Sequence, residues 1–202
     1  DILNGLRGKE LVVVAGEITC KKAGVSVDIP QIVRDTIRKI GYNNSEMGFD
    51  YKSCAVMVAL NKQSADIAQG VDSGRKKKQG AGDQGMMFGY ACRETKELMP
   101  LSISLAHKLV EELARMRKNG TIKNIRPDSK SQVTVRYEQG KPVFIDTVVV
   151  STQHDPFTGA FTAAKLKKEL VDKLISKVLP AGLWSPAKTK IHINPTGKFE
   201  IG

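Results

Sequence analysis

Glycines at positions 80, 82 and 85 frame an aspartate and a glutamine in Gly80-Ala81-Gly82-Asp83-Gln84-Gly85, and the apolar stretch Met86-Met87-Phe88-Gly89-Tyr90 follows. Residues without a Cβ let the backbone press against a ligand. A carboxylate set among them can meet a cation such as the ammonium of an amino acid. The same letters satisfy G-x-G-x-x-G, the phosphate turn of dinucleotide-binding folds, but that turn needs a strand before it and a helix after it. Here polar and glycine-heavy residues precede the motif, and Asp83 would put a negative charge where a pyrophosphate belongs. Two readings remain: an amino-acid site, or a tight turn that carries a surface aspartate.

Other chemistry is sparse. No Ser/His/Asp or Cys/His arrangement for nucleophilic catalysis stands out. His107 falls on an expected helix, His154 near a strand end and His192 in the closing strand, and all three read as structural. Cys20, Cys54 and Cys92 are far apart, form no C-x-x-C pair and are odd in number, which predicts reduced thiols. Cys54 lies within Cys54-Ala55-Val56-Met57-Val58 and reads as a small core residue.

The charge balance, 32 basic against 21 acidic residues for a net +11, predicts a surface that attracts anions: nucleic acid, anionic lipid or a phosphorylated small molecule. The densest clusters are Arg75 to Lys78 and Lys165, Lys167, Lys168; the second reads as a solvated helix face. No nucleic-acid partner is expected, because one Trp, four Tyr and six Phe are spread along the chain without a stacking platform, and no zinc or helix-turn-helix signature is present. No membrane partner is expected either. The longest apolar runs, Leu11 to Ala15 and Cys54 to Leu60, fall far short of the ~20 residues that span a bilayer. The opening residues lack the plan of a secretory signal, so the expected location is cytoplasmic.

The elements that must position these residues follow from periodicity. A strand is predicted over 10–19. A helix follows over 28–41, with Asp28 as N-cap, Pro30 in its first turn and Ile29, Ile32, Val33, Ile37 and Ile40 on one face, and Gly41 stops it. A strand over 53–61 leads into a long polar, glycine-rich loop from 62 to 85. A helix over 100–117 carries Leu101, Leu105, Leu109, Leu113 and Met116. Strands over 131–138 and 142–152 join at Gln139-Gly140 as a hairpin. A helix over 162–179 carries Leu166, Leu170, Leu174 and Val178, and a strand over 189–194 closes the chain. Strand, helix and strand thus occur twice in the same order. The expected fold is α+β, with two related units of mixed or antiparallel sheet and helices on one face: a first unit over 1–99, including the 62–85 loop and the glycine motif, and a second over 100–202.

The segment GAGDQGMMFGY resembles the signature of the methionine adenosyltransferases (S-adenosylmethionine synthetases). Further stretches agree in the same order: GEIT from Gly16, IGYNNSEMGFD from Ile40, KQSADIAQGVD from Lys62, MRKNGTI from Met116, RPDSKSQVTV from Arg126, VVSTQH from Val149 and INPTGKF from Ile193. The resemblance runs from about Leu11 onward. It implies an enzyme that joins ATP and L-methionine, with Glu17, Gln63 and Asp83 holding methionine. Asp128, Ser129, Lys130, Lys198 and Phe199 would contact ATP, and the loop from Gln63 to beyond Ser73 would act as a lid. Glu17 as a solvated strand-end acid and Lys198 as a surface cation are the plainer alternatives.

The resemblance also implies Mg2+ and K+ as cofactors and a homodimer or homotetramer with shared active sites. Family segments of the GHPDK and ACE types, and a glycine-rich continuation with further Asp, Arg and Lys, have no match in these residues. No catalytic residue and no metal ligand is therefore assigned within them. The residues correspond to about half of the family's length, which leaves two expectations: part of a longer transferase, or a shortened, catalytically weak member that serves as a binding or assembly module.

Overall fold

The computed structural model describes residues 10–18, 27–62, 80 and 84–202. The expected lid loop therefore lies outside the described residues except for its edges, as does Cys20. The chain is mixed α+β and divides into two compact units, Asp1–Gly89 and Tyr90–Gly202.

In the first unit, β1 (Leu11–Glu17) pairs in parallel with β4 (Ala55–Asn61), from Leu11 opposite Ala55 to Glu17 opposite Asn61. Parallel neighbours need a crossover, and α1 (Ile29–Ile40) provides it. Its ends are specified locally. The Asp28 Oδ1 accepts from the Gln31 N–H at 3.0 Å, and Gly41, at φ 116°, turns left-handed so that its N–H reaches Ile37 O at 3.1 Å. Arg34 on α1 donates to Tyr51 O at 2.6 Å and Lys52 O at 3.1 Å, which fixes the helix beside the buried Cys54. A short antiparallel pair, β2 (Asn43–Asn44) and β3 (Phe49–Asp50), lies between α1 and β4. Of the predicted apolar face of α1, only Ile37 is buried, while Ile32 remains 55% exposed.

The second unit is built on a three-stranded sheet. Strand β5 (Ile125–Glu138) pairs antiparallel with β6 (Lys141–His154), and β6 pairs in parallel with β7 (Lys190–Ile193). Gln139 at φ 50° and Gly140 at φ 73° form the two-residue turn, whose left-handed backbone matches strand twist. Helix α2 (Leu101–Lys118) packs on β5, and α3 (Ala163–Glu169) crosses from β6 to β7. Spacing predicted one unbroken α-helix to 179. Instead, Leu170–Ile175 is wound as π turns before the closing turn α4 (Ser176–Val178), with Ser176 Oγ donating to Asp172 O at 2.5 Å, a local bond that competes with regular winding.

Every residue of the predicted α2 stripe is buried: Leu101, Leu105, Leu109, Leu113 and Met116. They share one core with Leu166, Leu170 and Leu174 and with Val133, Ile145, Val148 and Val150 of the sheet. Pro100 gives α2 no side-chain cap. Glu94 replaces it: its Oε2 accepts from the Leu101 N–H at 2.8 Å and from the Tyr137 hydroxyl at 2.6 Å. The Leu101 amide, and then the Tyr137 hydroxyl, hold the Glu94 carboxyl below its usual range. Burial, together with that carboxylate, pushes the Tyr137 phenol up to about 12.

Two measurements check this architecture. Replacing fully buried Leu109 with alanine should destabilise the second unit by about 3 kcal/mol in urea denaturation, while Ile103→Ala on the exposed side of α2 should cost roughly 0.5 kcal/mol or less. Glu112 on α2 accepts from Arg115 at 2.7 and 2.5 Å and from Lys177 on α4 at 2.9 Å. The Arg115 hydrogen bonds, followed by that of Lys177, lower its carboxyl to about 2 from 4.5. A depressed folded-state value gives stability that is fully present above the ordinary value and lost as pH falls through the folded one. Stability should therefore decline from about pH 4.5 to pH 2, and Glu112→Gln should flatten that slope in acid titrations followed by circular dichroism.

Candidate functional site

Pro127 has no N–H to give a sheet ladder, and the β5–β6 register breaks there. Ile125 pairs with His154 and Ser129 with Thr152, so that Arg126, Pro127 and Asp128 face Gln153 alone. Such a bulge re-aims side chains. Arg126 turns inward to 7% exposure, where its Nε donates to Asp155 Oδ1 at 2.8 Å and its Nη1 to Glu200 O at 2.8 Å. The Asp128 N–H finds Gln153 Oε1 at 3.4 Å in place of a ladder partner. The backbone of Gly202 comes up against the same aspartate, so closely that a Cβ there would lie 2.9 Å from Asp128 Oδ2.

The chain after β7 folds back onto this bulge. Asn194 exchanges two bonds with Thr152, accepting from its N–H at 2.8 Å and donating to its O at 3.1 Å, and Gly197 turns at φ 96°. Phe199 then aligns with the end of β6: the His154 N–H donates to Phe199 O at 2.9 Å, and the Phe199 N–H donates to His154 Nε2 at 3.0 Å. Gln153 Nε2 donates to Glu200 O at 3.1 Å. The Lys130 ammonium sits 4.8 Å from the Phe199 ring centroid, and Lys198 is exposed, 3.5 Å from the Glu200 carboxylate.

Asp128, Ser129, Lys130, Lys198 and Phe199 are thereby gathered at one end of the β5–β6 pair, with Ser129 half-buried opposite Thr152. An aromatic ring with an ammonium group against it suits a flat base attached to phosphates. Glu17 stands exposed at the end of β1, opposite Asn61, in the first unit. Gln63 and Asp83 lie outside the described residues. From the glycine motif onward, Gln84 to Tyr90 are exposed, Met87 and Phe88 at 92% and 90%.

His107 and His192 are exposed, and Lys165, Lys167 and Lys168 lie on the solvated side of α3, as their spacing predicted. Arg75 to Lys78 lie outside the described residues. Sequence reasoning did not single out Arg126, Gln153 or His154 for the site. The available signal was the polar run Thr152-Gln153-His154 at the end of a valine-rich strand, and all three are fully buried. Among the described residues no cluster of His, Cys, Asp and Glu could hold a metal ion, and no helix is long and apolar enough to cross a membrane.

Residues 3–65 match S-adenosylmethionine synthetase, N-terminal domain, and residues 78–199 match S-adenosylmethionine synthetase, central domain. The chain is 54% identical over 191 residues to S-adenosylmethionine synthase from Desulfosudis oleivorans, a match that covers 94% of this chain and 47% of that protein. It thus spans about half the length of this curated relative. With both domain matches in sequence order and more than half of its residues identical to that relative over nearly its whole length, the chain belongs to the S-adenosylmethionine synthetase family.

Proposed function

We propose that this chain works in the formation of S-adenosylmethionine from ATP and L-methionine. The observation that carries the reading is the Lys130 ammonium over the Phe199 ring beside the Asp128 bulge, within a chain of this family. Phe199 offers its ring to adenine, and Lys130 and Lys198 offer charge to the phosphates. Asp128 and Ser129 also contact ATP. Glu17, Gln63 and Asp83 hold methionine under the lid that runs from Gln63 to beyond Ser73.

In the reaction, the methionine sulfur forms a bond to C5′ of ATP as the C5′–oxygen bond breaks. The electron pair leaves with tripolyphosphate, and water then cleaves that chain to phosphate and pyrophosphate. A thioether has no proton to lose, so this step requires alignment and cations rather than a general base. Mg2+ and K+ would neutralise the polyphosphate, and the described residues offer no ligand cluster for them. The protein works in the cytoplasm as a homodimer or homotetramer with shared active sites.

A second reading is a binding or assembly module with weak or no catalysis. Calorimetric titration separates the two. On the first reading ATP binds this chain, and Phe199→Ala and Lys130→Ala each weaken binding by about tenfold, the scale of one stacked base. On the second, ATP does not bind while self-association persists. Product formation from ATP and methionine with Mg2+ and K+ then tests turnover.

A further inference from the structure

His154 holds both backbone groups of Phe199. Its own N–H donates to Phe199 O, and its ring Nε2 accepts the Phe199 N–H. A backbone amide can only donate, so Nε2 must carry a lone pair. The ring proton then sits on Nδ1, 2.7 Å from Asp155 O, which can only accept. The two contacts demand the same neutral tautomer, assigned from its partners. The ring cannot easily turn away, because it is fully buried, stacked on Phe157 at 4.1 Å between centroids and edge-on to Phe161 at 6.1 Å. Arg126 and Gln153 hold the next carbonyl, Glu200 O.

From this geometry we infer that His154 is a positioning residue: its Nε2 sets the backbone of Phe199 so that the aromatic ring stands over Lys130 and faces the nucleotide. The inference rests on the proposed nucleotide reading and adds a residue to it. A histidine that merely filled the core would need no bond to a returning segment 45 residues later. One that positions Phe199 does.

The test titrates ATP into the 202-residue chain. His154→Leu keeps the apolar bulk and removes the acceptor; ATP affinity should fall by about tenfold, the scale of one buried bond left unmade. His154→Gln places an amide oxygen near the Nε2 position and should recover affinity to within about threefold. His154→Asn reaches only the Nδ1 position and should not. A folded His154→Leu chain that binds ATP like the unaltered protein, or a His154→Gln chain no better than His154→Leu, overturns the inference. Should His154→Leu fail to fold, nitrogen NMR of the unaltered chain decides. Scalar coupling between the Phe199 amide nitrogen and Nε2, with the proton on Nδ1, supports the inference; a proton on Nε2 refutes it. If Phe199→Ala leaves ATP affinity unchanged, the nucleotide reading falls and the positioning role with it, whatever the NMR reports of the hydrogen bond itself.

Discussion

The inability of Pro127 to donate a hydrogen bond organises the second unit's functional end. Because the ladder between β5 and β6 cannot close there, three residues face one, and the unpaired polar groups must find partners elsewhere. The Asp128 N–H finds Gln153 Oε1, and along the other edge of β6 the segment that returns after β7 adds its own bonds. Arg126 and Gln153 reach Glu200 O, His154 takes both backbone groups of Phe199, and Asn194 mimics a strand partner for Thr152. None of these bonds is worth more than about 1–2 kcal/mol net. Their joint effect is geometric: a segment with no regular structure of its own is held in one conformation, and Lys130 and Phe199 meet as a consequence.

Burial gives that arrangement a firm base. Arg126 is a nearly fully buried charge, a position tolerated only when paired and hydrogen-bonded. Asp155 supplies the pairing and Glu200 O a further acceptor, so the cation costs little and constrains much. Behind it the sheet face of Val133, Val148 and Val150 lies in the same core as the leucines of α2 and α3. A site on the ends of packed strands moves less than one on free loops, which suits chemistry that depends on alignment rather than proton transfer.

Periodicity made the frame legible. The leucine stripes of α2 and of residues 162–179 are local and strong, and the structure buries their leucines even where Leu170 and Leu174 fall in the π turns. Asp28 and Gly41 mark the ends of α1 because caps are local chemistry as well. What escaped was nonlocal. Asp128, Ser129 and Lys130 read as part of no strand, yet β5 runs back to Ile125 because Ser129 and Lys130 meet Thr152 and Ser151 across the ladder, and cross-strand pairing overrides polar composition. His154 read as structural because its meaning lies in a partner 45 residues away. The gathering of Asp128, Lys130 and Phe199 was foreseen only through resemblance. No pattern in the sequence states that Lys198 and Phe199 return to β5.

The two units use the same order of elements with unequal closure. Each contains parallel strands joined through a helix, β1 to β4 around α1 and β6 to β7 around α3. In the second unit an antiparallel strand, β5, and a second helix, α2, complete the layer, and eighteen residues form its core. In the first, β1 and β4 form a two-stranded sheet in which Leu11, Val13, Met57 and Val58 all exceed 40% exposure. Among the described residues of this unit, a two-stranded pair and one helix remove little apolar surface from water. The local signals of α1 are as clear as those of α2, yet only Ile37 of its stripe is buried. Among the described residues, the difference lies not in helix propensity but in how many layers receive each helix. On the proposed reading this has a functional corollary: Phe199 and Lys130 stand on the closed unit, whereas Glu17, proposed for methionine, stands at the edge of the open one.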